Sequence, residues 1–379
     1  MTTSTARRPR RRTSTRSAVA AAALALLAGP ATAAPATAAT AGTATTGGGS
    51  WSTTTPMAVS RADHTATLLA DGSVLTAGGT TSTLTQTWQP SSGRWTAAGS
   101  MGTARTGAMA TRLRDGRVLV AGGCTGYHCP TVTNTAEVYD PATRTWAATG
   151  AMVTARAYAA ITLLASGKVL LAGGCNRRLC GQETSTAELF GPATGRWTAT
   201  GSMTEARRWQ RAVLLADGRV LVAGGEGLAT AEVYDPGTGR WTQTGALHVA
   251  RADFTLTRLA DGTVLAAGGC QGYYCESVTA SAETYDPATG TWTPTGSLHH
   301  DRQDDAAAVL TSGRVLVVGG QDDTSTVLGS AEVYDPATRS WATTPPLHQA
   351  RSFLTATRPP DGRVLAAGGV TDTAEVYSP

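Results

Sequence analysis

Three loops of the chain carry a pair of cysteines with the same spacing behind a glycine doublet. The pairs are Cys124 and Cys129, Cys175 and Cys180, and Cys270 and Cys275. Two thiolates at this spacing can contribute to a zinc site, act as a redox pair or form a local disulfide. Zinc is the weaker alternative, because only one of the three loops contains a histidine, His128. We predict three local disulfides that hold long loops in one shape.

The side chains that these loops display differ, and several are suited to ligand contact. They are Tyr127 and His128 in the first loop, Arg177 and Arg178 in the second, and Tyr273 and Tyr274 in the third. Binding residues concentrate on loops that a rigid scaffold positions. We therefore predict that these six residues surround a binding site.

A second set of residues follows a recurring arginine by two positions. The set is Asp63, Gly107, Tyr158, Trp209, Asp253, Asp304 and Phe353, with His64 directly after its first member. Aromatic rings stack on the apolar faces of sugars, and carboxylates accept hydrogen bonds from sugar hydroxyls. This mixture favours a ligand-binding site. The alternative is that the rings fill space and the acids are solvated.

Three other patterns raise the possibility of metal or acid–base chemistry. Calcium binds oxygen ligands, and five acids lie near one another in the chain: Asp301, Asp304, Asp305, Asp322 and Asp323. Their spacing is not that of a calcium loop, and solvated surface acids are the alternative.

Equivalent repeat positions are occupied by His248, His299 and His348, which would hold zinc or copper only if they converged. A glycosidase pair drawn from Asp63, Asp253 and Asp304 would depend on the carboxylate separation.

An internal repeat positions all of these residues. Glycine doublets begin at residues 78, 122, 173, 224, 268, 319 and 368, and tryptophans recur at 51, 95, 146, 197, 241, 292 and 341. Both series advance by 44, 51, 51, 44, 51 and 49 residues, which gives seven units. Each unit is predicted to form four short strands, since β-rich runs are separated by Asp-Gly or Ser-Gly and by proline-containing turn signals.

Seven units of four antiparallel strands predict an all-β fold, a seven-bladed β-propeller over residues 51–379. We expect the N-terminal strand around Trp51 to complete the last blade and close the ring, because the last unit lacks its tryptophan strand. With strands a to d counted outward from the axis, the cysteine loops (b to c) and the segments that enter strand a share one face. The recurring arginine, and the glutamate that opens strand c in all units except the first (Gln86), predict a repeated structural ion pair.

The N-terminus has the features of a secretory signal peptide, with a basic start, a short apolar run and Ala-x-Ala sites. We assign residues 1–39 to the signal peptide and 40–50 to a flexible Thr/Gly lead-in. The first 40 residues contain six arginines and no acid, so 25 of the 31 basic residues remain beside 27 acidic ones. This balance lacks the footprint of a nucleic-acid-binding protein. We expect a secreted monomer with no membrane span.

The pattern Gly-Gly followed by Ala-Glu-Val-Tyr-Asp-Pro resembles the kelch repeat, and the run LLADGRVLVAGG is similar to the kelch-type propeller of galactose oxidases. The resemblance covers nearly all of the chain after the signal peptide. It implies that Tyr158 and His64 occupy copper-binding positions of those oxidases. Asp63 stands where the second copper-binding tyrosine would be, and Asn176 replaces a stacking tryptophan. The ligand set is therefore incomplete for copper-radical chemistry.

These features together favour an exported, non-catalytic binding module that recognises an extracellular glycan or protein on the face that carries the b–c loops. The alternative is a diverged galactose-oxidase-like protein or another carbohydrate-active enzyme. We predict no cofactor, with calcium and copper as the weaker alternatives.

Overall fold

A computed structural model describes residues 48–126 and 129–379. The predicted signal peptide, residues 1–39, and most of the predicted lead-in lie outside the described residues. The loop-tip residues Tyr127 and His128 also lie outside them.

The described chain forms seven four-stranded antiparallel sheets, which confirms the predicted all-β propeller of seven blades. The a–b turns use Asp-Gly or Ser-Gly, and their glycines have positive φ, for example 85° at Gly72. In the order a to d, the strands are Thr65–Leu68, Val74–Ala77, Leu84–Gln89 and Arg94–Ser100 in blade one; Met109–Arg112, Val118–Ala121, Ala136–Asp140 and Thr145–Thr149 in blade two; Ala160–Leu163, Val169–Ala172, Ala187–Gly191 and Arg196–Ala199 in blade three; Arg211–Leu214, Val220–Ala223, Ala231–Asp235 and Arg240–Thr244 in blade four; Thr255–Arg258, Val264–Ala267, Ala282–Asp286 and Thr291–Pro294 in blade five; Ala306–Val309, Val315–Val318, Ala331–Asp335 and Ser340–Thr343 in blade six; and Leu354–Thr357, Val364–Gly368, Ala374–Ser378 and Ser50–Thr53 in blade seven.

The ring closes as the sequence predicts. Each strand a contacts strand a of both neighbouring blades, so the innermost strands form a continuous circle. The N-terminal strand pairs antiparallel with the last strand of the chain, with Trp51 opposite Tyr377. Blade seven is thereby built from both ends of the described chain, and this pairing covers an otherwise open edge.

The hydrophobic core lies between blades rather than inside them. Each of the seven interfaces has its own cluster of buried side chains. Between blades two and three, for example, Met109 and Leu119 pack with Leu171 and Trp197. Every residue of every strand b is buried, because both faces of the sheet are covered. Burial of one such large side chain contributes about 1.5–3 kcal/mol.

The three cysteine loops form small hairpins, each closed by the predicted disulfide. The pairs are Cys124–Cys129, Cys175–Cys180 and Cys270–Cys275, with Cα atoms 4.7 to 4.9 Å apart. The paired segments are Cys124–Thr125 with Thr131–Val132, Cys175–Asn176 with Gln182–Glu183, and Cys270–Gln271 with Ser277–Val278. A short 3-10 turn, Arg178–Cys180, lies at the tip of the second loop.

A fully buried arginine organises the start of strand a in every blade. Its guanidinium donates to the carbonyl of the first glycine of the doublet over 2.6 to 2.9 Å. In six blades it also pairs with the strand-c glutamate over 2.7 to 3.1 Å, which confirms the predicted ion pair. The glutamate accepts two backbone N–H groups as well; Glu188, for example, accepts those of Val153 and Thr154. Both charges of the buried pair are thus compensated.

Blade one is the exception to this pattern. Gln86 replaces the glutamate and accepts a hydrogen bond from the backbone of Ala58 over 2.9 Å. Arg61 then donates to the carbonyls of Gly78 and Leu84 and has no carboxylate partner among the described residues. Burial lowers the pKa of Arg61 to about 10.

The glycine doublets exist because neighbouring blades approach each other there. The second glycine donates its N–H to the arginine carbonyl of the next blade over 2.7 to 3.0 Å in all seven blades. A Cβ on the first glycine would strike the same backbone. At Gly122 it would lie 2.2 Å from the carbonyl oxygen of Arg156, and the φ of 65° also favours glycine.

Replacement of Glu188 by alanine is expected to lower the free energy of unfolding by about 3–5 kcal/mol, because the charge of the buried Arg156 guanidinium would lose its carboxylate partner. Urea unfolding followed by tryptophan fluorescence measures this loss. The matched control is Gln86→Ala in blade one, which removes a hydrogen bond and leaves no newly unpaired charge, at a cost of about 1 kcal/mol. Equal losses for the two variants would contradict the role of the ion pair.

Candidate functional site at the loop face

The b–c loops and the segments that enter strand a lie on one face, which we call the loop face. Bridges between the two kinds of segment join Thr106 to Cys124 and Ala157 to Cys175. The opposite face carries the a–b turns and the c–d turns, and we call it the turn face. The loop face therefore carries the long and variable segments, as the strand order predicts.

A ring of seven backbone hydrogen bonds surrounds the channel mouth on the loop face. The residue two positions after each buried arginine donates its N–H to the equivalent residue of the preceding blade over 2.9 to 3.3 Å. All seven adopt left-handed backbone conformations, with φ between 48° and 60°. In ring order they are Asp63, Gly107, Tyr158, Trp209, Asp253, Asp304 and Phe353. The left-handed conformation costs about 1 kcal/mol or more for a non-glycine residue, which the inter-blade hydrogen bonds offset.

This ring brings six of its seven residues, all except Trp209, to one pocket of about 200 Å³. Among its lining residues are Asp63, Tyr158, Asp253, Asp304 and Phe353. Two residues that the sequence analysis had not placed there as ligand contacts, Arg211 and Asp305, also line it. Trp209 borders the pocket, with its ring centroid 6.0 Å from that of Tyr158.

The polar groups of the pocket contact one another across blades. The Tyr158 hydroxyl donates to Asp63 over 3.3 Å. Asp304 accepts a hydrogen bond from the Gln321 amide over 3.0 Å. A guanidinium nitrogen of Arg211 lies 3.7 Å from Asp253. Three carboxylates from different blades are thus held by neighbouring side chains.

Asp305 also lines the pocket, but unlike these three carboxylates it is not held by a neighbouring side chain. Its side chain is buried, and neither carboxylate oxygen has a hydrogen-bond partner among the described residues. Burial raises the pKa of Asp305 to about 7, although the positive charge of Arg302 acts in the opposite direction. At neutral pH this carboxyl group can therefore hold a proton.

His64 also lines the channel pocket, but its side chain is buried. Its ring is directed between blades one and seven, where Nε2 lies 3.0 Å from the Thr355 hydroxyl and Cε1 packs against Gly368. Burial, together with the positive charge of Arg61, lowers the pKa of His64 to about 3. His64 is therefore a buried lining residue whose ring nitrogen is already engaged by blade seven.

A buried ion-pair network that the sequence analysis missed supports Trp209. The Arg208 guanidinium lies 4.2 Å from the Trp209 ring centroid and donates to Glu226 and to the carbonyl of Cys180. Glu226 also accepts the N–H of Tyr274 over 2.7 Å. Burial raises the pKa of the adjacent Glu183 to about 7. The sequence feature that could have indicated this network is Glu226, because it follows the glycine doublet at the position where three other blades have cysteine.

The described loop-tip residues lie around this network. Arg177 and Arg178 are exposed. Tyr273 and Tyr274 are 59% and 58% exposed, with ring centroids 6.3 Å apart. The structure thus places four of the six predicted loop-tip residues at the surface of the loop face, beside the channel mouth.

The five acids that raised the possibility of calcium do not meet at one point. Asp301 accepts the N–H of Asp323, and Asp322 accepts N–H groups within its own loop. Asp304 and Asp305 instead belong to the channel pocket. Within the described part of the chain, no three of these five carboxylates bring oxygen atoms within 4.8 Å of one another.

The three equivalent histidines are likewise separate. Each Nδ1 atom lies 2.8 Å from the strand-c glutamate of its own blade, and the partners are His248 with Glu283, His299 with Glu332, and His348 with Glu375. Each histidine is therefore a partly exposed second partner of the glutamate that pairs with the buried arginine.

Comparisons with known proteins agree with this architecture. A kelch motif is recognised at residues 109–152, 259–299 and 305–348. The chain is a seven-bladed propeller with kelch motifs. Among solved structures, this kelch propeller is similar to a fungal alcohol oxidase of the AA5 family in complex with copper, with 20% identity, a TM-score of 0.73 and coverage of 87% of this chain and 76% of that one. It is also similar to YjhT, with 17% identity, a TM-score of 0.62 and coverage of 77% and 99%. A search of curated proteins gives no match.

The similar oxidase is in complex with copper, so the positions of Tyr158 and His64 decide whether these two residues could share a copper ion in the kelch propeller. The Tyr158 hydroxyl faces Asp63, whereas the His64 ring is turned into the blade interface. His64 belongs to no group of three clustered His, Cys, Asp or Glu ligand atoms among the described residues. The two residues do not fit a shared copper site. No helix in the described ranges is long and apolar enough to cross a membrane.

The stability of the kelch propeller should depend on pH through Asp305. Because its folded pKa is raised from 3.8 to about 7, the stability that the protonated form contributes is complete below about pH 4 and is lost as the pH rises through 7. The amide of an Asp305→Asn variant does not titrate. The unfolding free energy of this variant relative to wild type should thus increase by about 2–4 kcal/mol between pH 4 and pH 8.

Urea unfolding at the two pH values measures this difference. The control is Ser312→Ala, a substitution at an exposed turn residue that carries no titratable group, which should change the unfolding free energy equally at both pH values. A pH-independent difference for Asp305→Asn would show that Asp305 is not buried in the way described.

Proposed function

We propose that this kelch propeller is an exported, non-catalytic binding module that recognises an extracellular glycan at the channel mouth of the loop face. One observation carries the proposal: the exposed large apolar side chains of the described chain all lie in segments of that face. They are Val153, Leu179, Tyr273, Tyr274 and Val327. Exposed apolar groups that gather on one face mark an interaction surface.

The chemistry of the mouth favours a sugar over a protein surface as the ligand. The pocket of about 200 Å³ is smaller than the ~300 Å³ at the low end of drug-sized sites, so it suits a single sugar unit. The rings of Tyr158 and Phe353 offer apolar faces, and Asp63, Asp253 and Asp304 offer hydroxyl acceptors. A standard protein interface instead buries about 800 Å² of surface on each partner, whereas the five exposed apolar side chains belong to four separate segments.

Binding, rather than catalysis, is proposed because the polar groups in the pocket are held by one another. Tyr158 contacts Asp63, and Gln321 donates to Asp304. Such mutual contacts give a preformed surface for hydroxyl groups. The three disulfides support an oxidising compartment outside the cytoplasm, where glycans of cell walls and matrices are accessible.

The test begins with affinity gel electrophoresis of the mature protein against a panel of neutral polysaccharides, followed by titration calorimetry with an oligosaccharide of the retained polymer. Trp209→Ala and the double variant Tyr273→Ala/Tyr274→Ala should each weaken binding about tenfold or more, because stacking area is lost. Ser312→Ala on the turn face is the control and should bind like wild type.

Two results would overturn the proposal. The first is a shortened or oxidised glycan, or peroxide released from alcohols, after incubation with the protein; either would indicate an enzyme. The second is retention of no polysaccharide at all, or retention that Trp209→Ala leaves unchanged.

A further inference from the structure

The turn face carries a groove of about 620 Å³ between blades two and three. Its lining combines the a–b turns of the two blades with the c–d turn of blade three. Four cationic side chains line it, with Asp115 as the acid among the lining residues. The cations are Arg114, Arg117, Lys168 and Arg196. The groove is thus strongly positive although the chain after residue 40 is nearly neutral.

The a–b turns of blades two, four and seven neutralise the equivalent cation. In Asp-Gly-Arg turns the aspartate pairs with the arginine two residues later, as in Arg117–Asp115 and Arg219–Asp217, both at 2.7 Å. Blade three has Ser166 in place of the aspartate. Its cation, Lys168, is the single lysine of the chain and has no ion-pair partner among the described residues.

The c–d turn of blade three has lost a second acid. Strand c ends in aspartate in blades two, four, five and six, where the carboxylate accepts a backbone N–H of the turn. Gly191 occupies this position in blade three. Blade three is the one unit that has neither the a–b aspartate nor an acid or amide at this position.

Blade two adds a cation at the same place. The residue before the a–b turn is alanine, threonine or proline in the other six units and arginine only at Arg114. Arg114 lies across the turn of blade three, with its Cδ 3.2 Å from where a Cβ on Gly167 would be, and donates to the carbonyl of Ala165. One groove is therefore bordered by two positions that lack the aspartate of other blades, Ser166 and Gly191, and by one additional cation, Arg114.

We propose that this groove binds an anionic polysaccharide, whose carboxylate or sulfate groups pair with Arg114, Lys168 and Arg196. Arg117 is already neutralised by Asp115, so three cations remain available. Leu189 and Pro192 contribute apolar surface to the lining, which suits the face of a sugar ring. The volume is about three times that of the channel pocket and admits more than one sugar unit. The site is independent of the loop face.

An extended nucleic acid is a poorer match than a polysaccharide. A duplex contacts a protein over a broad basic surface, whereas the cations here border a single groove with an apolar floor. Ammonium and guanidinium groups pair with carboxylates and sulfates through charge-assisted hydrogen bonds, and these contacts weaken as salt rises.

The experiment is affinity electrophoresis through gels that contain polygalacturonate, chondroitin sulfate or neutral dextran, followed by titration calorimetry with oligosaccharides of the retained polymer. The first two polymers distinguish carboxylate from sulfate as the recognised group. Arg114→Ala and Lys168→Thr should each raise Kd about tenfold, and so should added salt. Alanine and threonine occupy these positions in other blades, so both variants are expected to fold, and thermal unfolding checks this.

Blade six supplies the matched control. It also has a Ser-Gly turn, and Arg314 occupies the position of Lys168 without bordering the groove. Arg314→Thr should leave Kd unchanged within about twofold. The proposal is wrong if neither anionic polymer retards the protein, if Arg314→Thr weakens binding as much as Lys168→Thr, or if duplex DNA binds as tightly as the better polysaccharide. Loss of glycan binding at the loop face in Trp209→Ala would leave this site unaffected.

Discussion

One buried guanidinium in each blade holds the propeller together. Within its own blade, it bridges the carbonyl at the end of strand b and, in six blades, the glutamate of strand c. The backbone carbonyl of the same arginine accepts the N–H of the preceding blade's second glycine. A buried charge is costly unless it is fully paired, so this geometry fixes the strands around it. The short segment that enters strand a therefore determines both the shape of a blade and its attachment to its neighbour.

The channel mouth follows directly from this arrangement. Two residues after each arginine, the backbone N–H reaches the preceding blade and closes a second ring of hydrogen bonds. Because backbone groups form this ring, residues as different as Gly107, Trp209 and Asp304 adopt the same left-handed conformation. The scaffold is thus insensitive to the side chain at these positions. A position whose backbone is fixed and whose side chain is free to vary is suited to recognition.

The fold was predictable from the sequence because its determinants are local. Glycine doublets, turn dipeptides and cysteine spacing each report a local requirement, and the common period of the glycine doublets and tryptophans gave seven blades and the closing strand at Trp51. The site was predictable only in part. The repeat shows which residues are equivalent, but it does not show that His64 turns into an interface or that Asp305 is buried without a partner. Those outcomes depend on packing between blades that are distant in sequence.

A regular repeat makes departures from it informative on both faces. The shared residues are accounted for by the buried ion pairs and the inter-blade hydrogen bonds, so they carry no information about a ligand. Glu226 in place of a cysteine changes how three loops are joined at the mouth. Ser166 and Gly191 in place of aspartates leave a positive groove, whereas each Asp-Gly-Arg turn neutralises its own arginine. Short turns of uniform length are typical of a scaffold, and binding sites are usually expected in longer, variable loops. Length constrains the backbone path, however, whereas charge at a turn is set by single residues, so a uniform turn can still form a site.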